Sequence, residues 1–256
     1  MKFEWEGQTL HYAVEGDGPA VVLLHGLGGK ADNWLLQRRH LSATHKVLSL
    51  DLPGHGMSSG RSVHFTDYWR AIDSMLDHAG VPQAALCGLS AGARVGLDFA
   101  ARRRDRVSGL VIINAFLSMS PDDRTHRLAL YDLLLEKDGA RLWAEHLLGL
   151  MGMKGSDAIT RGFLKSVEKV DPLHIRRVFR EQEEYDQRPQ IADLACPVLV
   201  VRGAKDDLVP GYCADEILKE SKHGELLVMD AGHLPYLETP HDFNRHLFEF
   251  LTRNGI

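Results

Sequence analysis

The sequence predicts an α/β protein built on a mostly parallel sheet, and three observations support this prediction. Short apolar runs, each too short for a helix, recur along the chain and alternate with segments of helical periodicity. Uninterrupted apolar runs are typical of parallel strands that are covered on both faces. The alternation stops once, between residues 116 and 190, where helical patterns follow one another without a convincing strand. Together these features indicate a doubly wound sheet with a helical insertion.

The predicted strands begin with two short segments, 2–6 and 8–14, which Gly7 joins in a tight turn. The buried runs then predict strands at 20–24, 46–50, 84–87, 107–113, 198–201 and 226–229. Helical periodicity predicts helices between and after them at 66–79, 91–104, 211–221 and 241–253. The strands and these helices form the predicted core domain, residues 1–115 and 191–256.

The middle of the chain, residues 116–190, is predicted to be a helical lid inserted in this core. Its helical stretches are 127–137, 140–150 and 175–185. A segment inserted between two strands of such a sheet would cover the edge where the loops gather. That edge is where open α/β sheets bind ligands.

Composition and charge narrow the classes of function. The 256 residues are 44% hydrophobic with a formal net charge of −5, which predicts an ordered protein with no attraction for nucleic acid. The longest nearly apolar run, 194–201, is far below the roughly 20 residues of a membrane helix, and the first six residues do not resemble a signal peptide. Three cysteines without zinc-type spacing favour a reducing compartment. We therefore expect a cytoplasmic monomer or homodimer with a small-molecule partner, and neither a membrane nor a nucleic-acid partner.

The strongest sign of chemistry is a Gly-x-Ser-x-Gly run at residues 88–92, directly after the predicted strand 84–87 and opening a helix. In this context the run describes a strained turn that lifts the Ser90 hydroxyl out of the backbone. Glycines suit the flanking positions because strand and helix come too close there for Cβ atoms. A tight glycine turn with an incidental serine is the alternative. Cys87 is a rival nucleophile, but its position inside a strand is typical of a small core residue.

A nucleophilic serine needs a base, and the base needs an orienting acid. His233 lies between the last predicted strand and the last helix, which places it at the same edge of the sheet as Ser90. The alternative is an exposed loop histidine. Either Asp206 or Asp207, which follow the strand 198–201, is chemically suitable as the acid. The order serine, aspartate, histidine along the chain is that of one particular scaffold.

A glycine-rich turn at residues 25–29 follows the strand 20–24 and could aim backbone N–H groups at a developing oxyanion. The donors would be the amides of Leu27 and Ala91. A phosphate cradle is the competing interpretation, but no Gly-x-Gly-x-x-Gly run continues from this turn. The metal-binding pattern His-Glu-x-x-His is also absent, so we expect no metal and no cofactor.

Taken together, these motifs make the chain resemble the α/β-hydrolase superfamily from end to end. The matching stretches are residues 25–26, 51–58, 88–92, 203–210 and 232–238. The resemblance implies the α/β-hydrolase fold, a structural role for residues 51–58, and Asp206 as the acid. In this family the acid usually stands three residues after a glycine and four before a proline. Ala91 and Ala93 depart from the family pattern, and the small side chain of Ala91 leaves more room beside the nucleophile.

The predicted reaction is acyl transfer from an ester to water, as in a carboxylesterase. Ser90 attacks the carbonyl carbon, His233 moves the proton and Asp206 holds the imidazole. The expected pocket is apolar and would suit a hydrophobic acyl or alcohol group. Its predicted members are Gly28, Trp34, Phe116, Leu117, Trp143, Leu208 and Leu234. For the two tryptophans, core packing is an equal alternative.

Two other classes of function stay open at this point. The same triad could serve a lactonase, a thioesterase, a carbon–carbon bond hydrolase or a lyase of menaquinone synthesis. The chain could also be a ligand sensor that acts through a protein partner. Arg176, Arg177 and Arg180 could meet an anionic substrate or an acyl-carrier partner, but interleaved glutamates favour a solvated helix face.

Overall fold

The computed structural model describes residues 1–153, 158–167 and 171–256, and its centre is a sheet of eight strands in the order β1-β2-β4-β3-β5-β6-β7-β8. The strands are β1 (Lys2–Trp5), β2 (Gln8–Glu15), β3 (Ala20–Leu24), β4 (Lys46–Leu50), β5 (Ala84–Leu89), β6 (Val107–Ile113), β7 (Val198–Gly203) and β8 (Gly224–Met229). Pairing is antiparallel among β1, β2 and β4 and parallel between all other neighbours. The predicted mostly parallel sheet is confirmed.

Helices cover both faces of this sheet. They are α1 (Leu35–Leu41), α2 (Trp69–His78), α3 (Ala91–Arg102), α4 (Pro121–Asp132), α5 (Gly139–Leu150), α6 (Ala158–Val167), α7 (Pro172–Glu183), α8 (Arg188–Ala192), α9 (Gly211–Glu220), α10 (Pro235–Glu238) and α11 (Pro240–Arg253). Short 3-10 helices lie at Ala31–Trp34, Phe65–Asp67, Arg104–Arg106 and Leu133–Leu135. None of the helices in the described part of the chain is long and apolar enough to cross a lipid bilayer.

The sheet separates the two large hydrophobic clusters of the core. Successive residues of a strand point to opposite faces, so Val22 joins the cluster under α2 and α3 whereas Val21 joins the cluster under α11. The prediction that residues 226–229 are covered on both faces is wrong. Strand β8 is an edge of the sheet, and Leu226 and Val228 are 41% and 51% exposed.

Between β6 and β7 lie residues 114–197, which we call the inserted segment. Its described parts contribute α4 to α8 and no strand of the sheet. Helices α4 and α7 begin several residues before the predicted starts, because Ser120 and Asp171 accept hydrogen bonds from the first-turn N–H groups. A proline at the first helical position follows each of these caps.

The inserted segment is joined to two loops at the carboxyl edge of the sheet. The Leu150 carbonyl accepts a hydrogen bond from the Asp207 N–H, and the Met151 carbonyl accepts one from the His233 N–H, both at 2.8 Å. Within the segment, Arg176 and Arg180 pair with Asp132 at 2.8 and 2.9 Å. Two of the arginines considered as an anion site are therefore engaged in holding α7 to α4.

Candidate active site

Ser90 occupies the sharp turn between β5 and α3. Its backbone has φ 50° and ψ −116°, a conformation that L-residues rarely adopt, and its N–H donates to the Ile113 carbonyl at 2.8 Å. A Cβ atom on Gly88 would lie 2.5 Å from the Ala93 backbone, and one on Gly92 would lie 2.4 Å from the His25 carbonyl oxygen. The close approach of strand and helix therefore accepts only glycine on either side of the serine.

His233 and Asp206 form a buried pair on the loops after β8 and β7. The His233 Nδ1 lies 2.7 Å from the Asp206 Oδ2, and the two residues are 4% and 7% exposed. The other oxygen, Oδ1, accepts hydrogen bonds from the Leu208 and Val209 N–H groups at 2.9 and 3.2 Å. Asp207 is exposed. The structure thus brings Asp206 to the histidine, and with Nδ1 donating, the Nε2 atom is left as a proton acceptor.

Asn114 is a site residue that the sequence analysis missed. Its Nδ2 donates to the Gly232 and His233 carbonyls at 3.1 and 3.0 Å, and its Oδ1 accepts from the Gly203 N–H at 2.8 Å. The residue has φ 43°, which asparagine tolerates better than most residues. An asparagine directly after a buried strand is the signal that could have found it. One side chain therefore ties the loop after β8 to the end of β7.

The turn after β3 presents backbone N–H groups near the serine. The His25 Nε2 accepts from the Leu52 N–H at 3.0 Å, so its Nδ1 carries the proton and donates to the Gly26 carbonyl at 2.8 Å. Burial lowers the pKa of His25, which keeps the ring neutral. The Leu27 and Ala91 N–H groups donate to no other group in the described residues. They remain available to a ligand, and Ala91 adds the positive end of the α3 dipole.

A small pocket opens beside Ser90, with an interior of about 20 Å³. Its lining is Leu27, Ser90, Phe116, Met119, Arg127, Tyr131, Phe179, Gln182, Leu208 and Val209. Most of these side chains are apolar, and six of the ten come from the inserted segment. Two of the side chains predicted for the pocket, Phe116 and Leu208, are among them.

The other predicted pocket members do not line this pocket. Trp34 stacks on Tyr236 with ring centroids 4.1 Å apart, and Trp143 packs edge-on against Tyr131 at 5.5 Å. Both tryptophans are core residues, the second supporting a pocket wall from behind. Gly28, Leu117 and Leu234 also lie outside the lining, the two leucines within the core clusters. Apolar size alone does not separate a core position from a pocket position.

Cys87 and the turn at residues 51–58 have surroundings that are typical of structural residues. Burial raises the pKa of the Cys87 thiol, which keeps it protonated and poorly nucleophilic. The Asp51 carboxylate accepts hydrogen bonds from the Ala31 and Met57 N–H groups. A Cβ on Gly56 would lie 2.3 Å from the Asp51 Cγ, so glycine lets the turn close around that carboxylate.

The fold and this arrangement of loops define a class of enzyme. The chain belongs to the alpha/beta hydrolase family, whose model matches residues 21–246. It is 34% identical over 212 residues to RutD of Klebsiella pneumoniae (strain 342), a proposed carbamate hydrolase, with 77% of each chain covered. It is 33% identical over 249 residues to the pimeloyl-[acyl-carrier protein] methyl ester esterase of Edwardsiella ictaluri, covering 92% of this chain and 94% of that one.

Solved structures agree with the fold. A hydrolase from Pseudomonas aeruginosa superposes with a TM-score of 0.88 at 24% identity, covering 98% of this chain and 97% of that one. The family match and the named relatives together support a hydrolase.

Proposed function

We propose that this protein hydrolyses a carboxylic ester through an acyl-enzyme formed on Ser90. The observation that carries the proposal is the buried bond of 2.7 Å between His233 Nδ1 and Asp206 Oδ2. It leaves the Nε2 atom of the histidine to accept a proton, at the same edge of the sheet as the serine turn. The likeness to a methyl ester esterase supports the same reaction class.

In the proposed mechanism the Ser90 Oγ attacks the ester carbonyl carbon while its proton passes to His233 Nε2. The carbonyl oxygen becomes an oxyanion that the Leu27 and Ala91 N–H groups stabilise. The ester C–O bond then breaks, and the leaving alcohol takes the proton from His233. A water molecule attacks the acyl-enzyme with His233 as base, which releases the acid and restores the serine.

The pocket supports a small to medium substrate that is largely apolar. The Ser90 hydroxyl and the His233 ring are not hydrogen-bonded to each other in this structure, and such bonds often tighten only when substrate binds. The pocket interior, about 20 Å³, is small beside an acyl group, so we expect side chains of the inserted segment to move when a substrate enters. The mechanism uses no cofactor.

Carbamate hydrolysis is a second candidate, and the likeness to RutD favours it. Ser90 would attack the carbamate carbonyl in the same way. Initial rates on p-nitrophenyl esters of increasing chain length and on a p-nitrophenyl carbamate, measured at equal concentration, distinguish the two.

The test of the mechanism is Ser90→Ala. We expect it to fold and to lose ester hydrolysis, because loss of the nucleophile costs on the order of 10⁶ in turnover in a serine protease triad. Ser74→Ala, on α2 and outside the pocket, is the matched control and should keep wild-type activity.

A fluorophosphonate should label the wild-type protein once, at Ser90, and His233→Ala should suppress the labelling because the serine then lacks its base. A Ser90→Ala protein that keeps a substantial fraction of activity would rule the mechanism out. So would labelling at Cys87 or Ser58.

A further inference from the structure

We propose that Arg127, on helix α4 of the inserted segment, positions the acid Asp206 through two peptide groups. The inference rests on the proposed function, since it takes Asp206 to orient the base. Arg127 is a positioning residue here, because it acts on the carboxylate through the loop and not directly.

The contacts form two parallel links. The Arg127 guanidinium donates from Nη2 to the Asp207 carbonyl at 2.5 Å and from Nε to the Leu208 carbonyl at 3.0 Å. The same two peptide groups continue as the Leu208 and Val209 N–H groups, both of which donate to Asp206 Oδ1. No peptide bond among the described residues is cis, so each C=O and N–H point in opposite directions. Both peptides therefore stand between the guanidinium and the carboxylate.

The arrangement has a physical effect on the acid. The single guanidinium contacts both carbonyls. It polarises each peptide group and makes the N–H of that group a stronger donor to Asp206. Arg127 is only 7% exposed, so water does not screen these interactions as it would at the surface. Two links, in place of one, fix both the position and the rotation of the carboxylate. The oxygen left over, Oδ2, is then held toward the histidine.

The links also connect the inserted segment to the triad. Arg127 lines the pocket beside Ser90, so any displacement of α4 that widens the pocket pulls on the loop that holds Asp206. The structure thereby assigns a role in acid placement to a helix that sequence analysis treats as a lid alone.

The experiment compares Arg127→Gln and Arg127→Lys with Arg124→Gln in the full chain. Arg124 is an exposed arginine on the same helix, so its replacement by glutamine removes the same charge. Both Arg127 variants should lower kcat for a p-nitrophenyl ester by about 10- to 100-fold with little change in KM, the range that loss of supporting hydrogen bonds costs at metal sites. Arg124→Gln should behave as wild type. A raised KM with unchanged kcat would make Arg127 a substrate-binding residue and overturn the proposal.

A double-mutant cycle separates positioning from general support of the fold. The rate of fluorophosphonate labelling at Ser90 is measured for the Arg127 variants in the wild-type and Asp206→Asn backgrounds. Since Arg127 acts through the carboxylate, its replacement should slow labelling in the wild type and add little once Asp206 is asparagine. Equal losses in both backgrounds would overturn the proposal.

Thermal unfolding of every variant establishes that folded protein is being compared. If Arg127→Gln does not fold, Arg127→Lys decides by the same cycle, because a lysine keeps the charge but not the fork that reaches both carbonyls. If Arg127 has no positioning role, activity still depends on Ser90 and Asp206. If the proposed function is wrong, activity does not depend on these two residues, so the two outcomes are distinct.

Discussion

Replacement of Asp206 by asparagine exchanges one oxygen for an NH₂ group, yet the structure predicts the loss of nearly all activity. Asp206 Oδ1 accepts two backbone N–H groups, so only the oxygen end of an asparagine amide suits that side. The NH₂ group of the variant must then take the place of Oδ2 and face the His233 Nδ1. Because NH₂ donates, Nδ1 becomes the acceptor and the ring proton moves to Nε2. A protonated Nε2 on a neutral ring takes no proton from Ser90.

The expected loss is about 10⁴ in kcat, the value for the same exchange in a serine protease, where the wrong tautomer is the cause. This corresponds to about 5 kcal/mol of transition-state stabilisation. The fold should survive, since the side chain keeps its shape and both backbone hydrogen bonds. Asp207 is exposed and its carboxylate makes no hydrogen bond within the described residues, so Asp207→Asn should stay within a few-fold of wild type.

The assay is hydrolysis of p-nitrophenyl butyrate at neutral pH, with thermal unfolding of both variants as the check on folding. A larger loss in Asp207→Asn than in Asp206→Asn would refute the reasoning and move the acid by one residue. Equal and mild losses in both variants would also refute the reasoning, and Asp230 would then be the next candidate for the acid. That carboxylate is now paired with the Lys205 Nζ at 2.8 Å on the surface.

Two further predictions concern stability. Burial raises the pKa of Glu183 to about 7 from 4.5, and neither carboxylate oxygen has a hydrogen-bond partner within the described residues. Because the folded-state pKa is the higher one, stability should fall as the pH rises between these values, and Glu183→Gln should melt above wild type at pH 8 but not at pH 4. The exposed Glu184→Gln is its control, and equal pH dependence of wild type and Glu183→Gln would contradict the prediction. Gly92→Ala should destabilise by about 1–3 kcal/mol or more in urea unfolding, because its Cβ would overlap the His25 carbonyl. Gly149→Ala, on helix α5 with nothing within 4 Å, should instead stabilise by about 0.5–1 kcal/mol; destabilisation by both would count against the steric argument.

Three of the inner strands were predictable to the residue, whereas β5 and β7 each end two residues later than predicted. Strands β3, β4 and β6 have the predicted bounds, because a strand covered on both faces is apolar at nearly every position. Helix α1 was missed for the opposite reason. Its buried positions include Gln37 and Arg38, which hydrogen-bond inward to Asn244 and Ser49, so no apolar stripe marks the helix. Hydrophobic periodicity does not detect a helix whose buried side is polar.

The candidate site also contains residues that the sequence predicts and residues that it does not. Ser90, Asp206 and His233 each follow a strand that the sequence predicts, and parallel strands deliver their carboxyl ends to one edge. Asn114 and Arg127 act on backbone carbonyls in loops far away in sequence. A position directly after a buried strand can mark Asn114 in the sequence, but neither the spacing nor the chemistry of the loops shows which carbonyls the two side chains reach.

The hydrogen bonds from the Asp207 and His233 N–H groups to the Leu150 and Met151 carbonyls constrain how this enzyme can be redesigned. A chimera that exchanged everything between β6 and β7 would remove the acceptors on which both loops rest. A graft confined to residues 158–183 would keep them and still replace Phe179 and Gln182 in the pocket wall. Engineering of substrate range therefore has a natural crossover point after helix α5, with the carboxyl end of that helix kept as part of the catalytic scaffold.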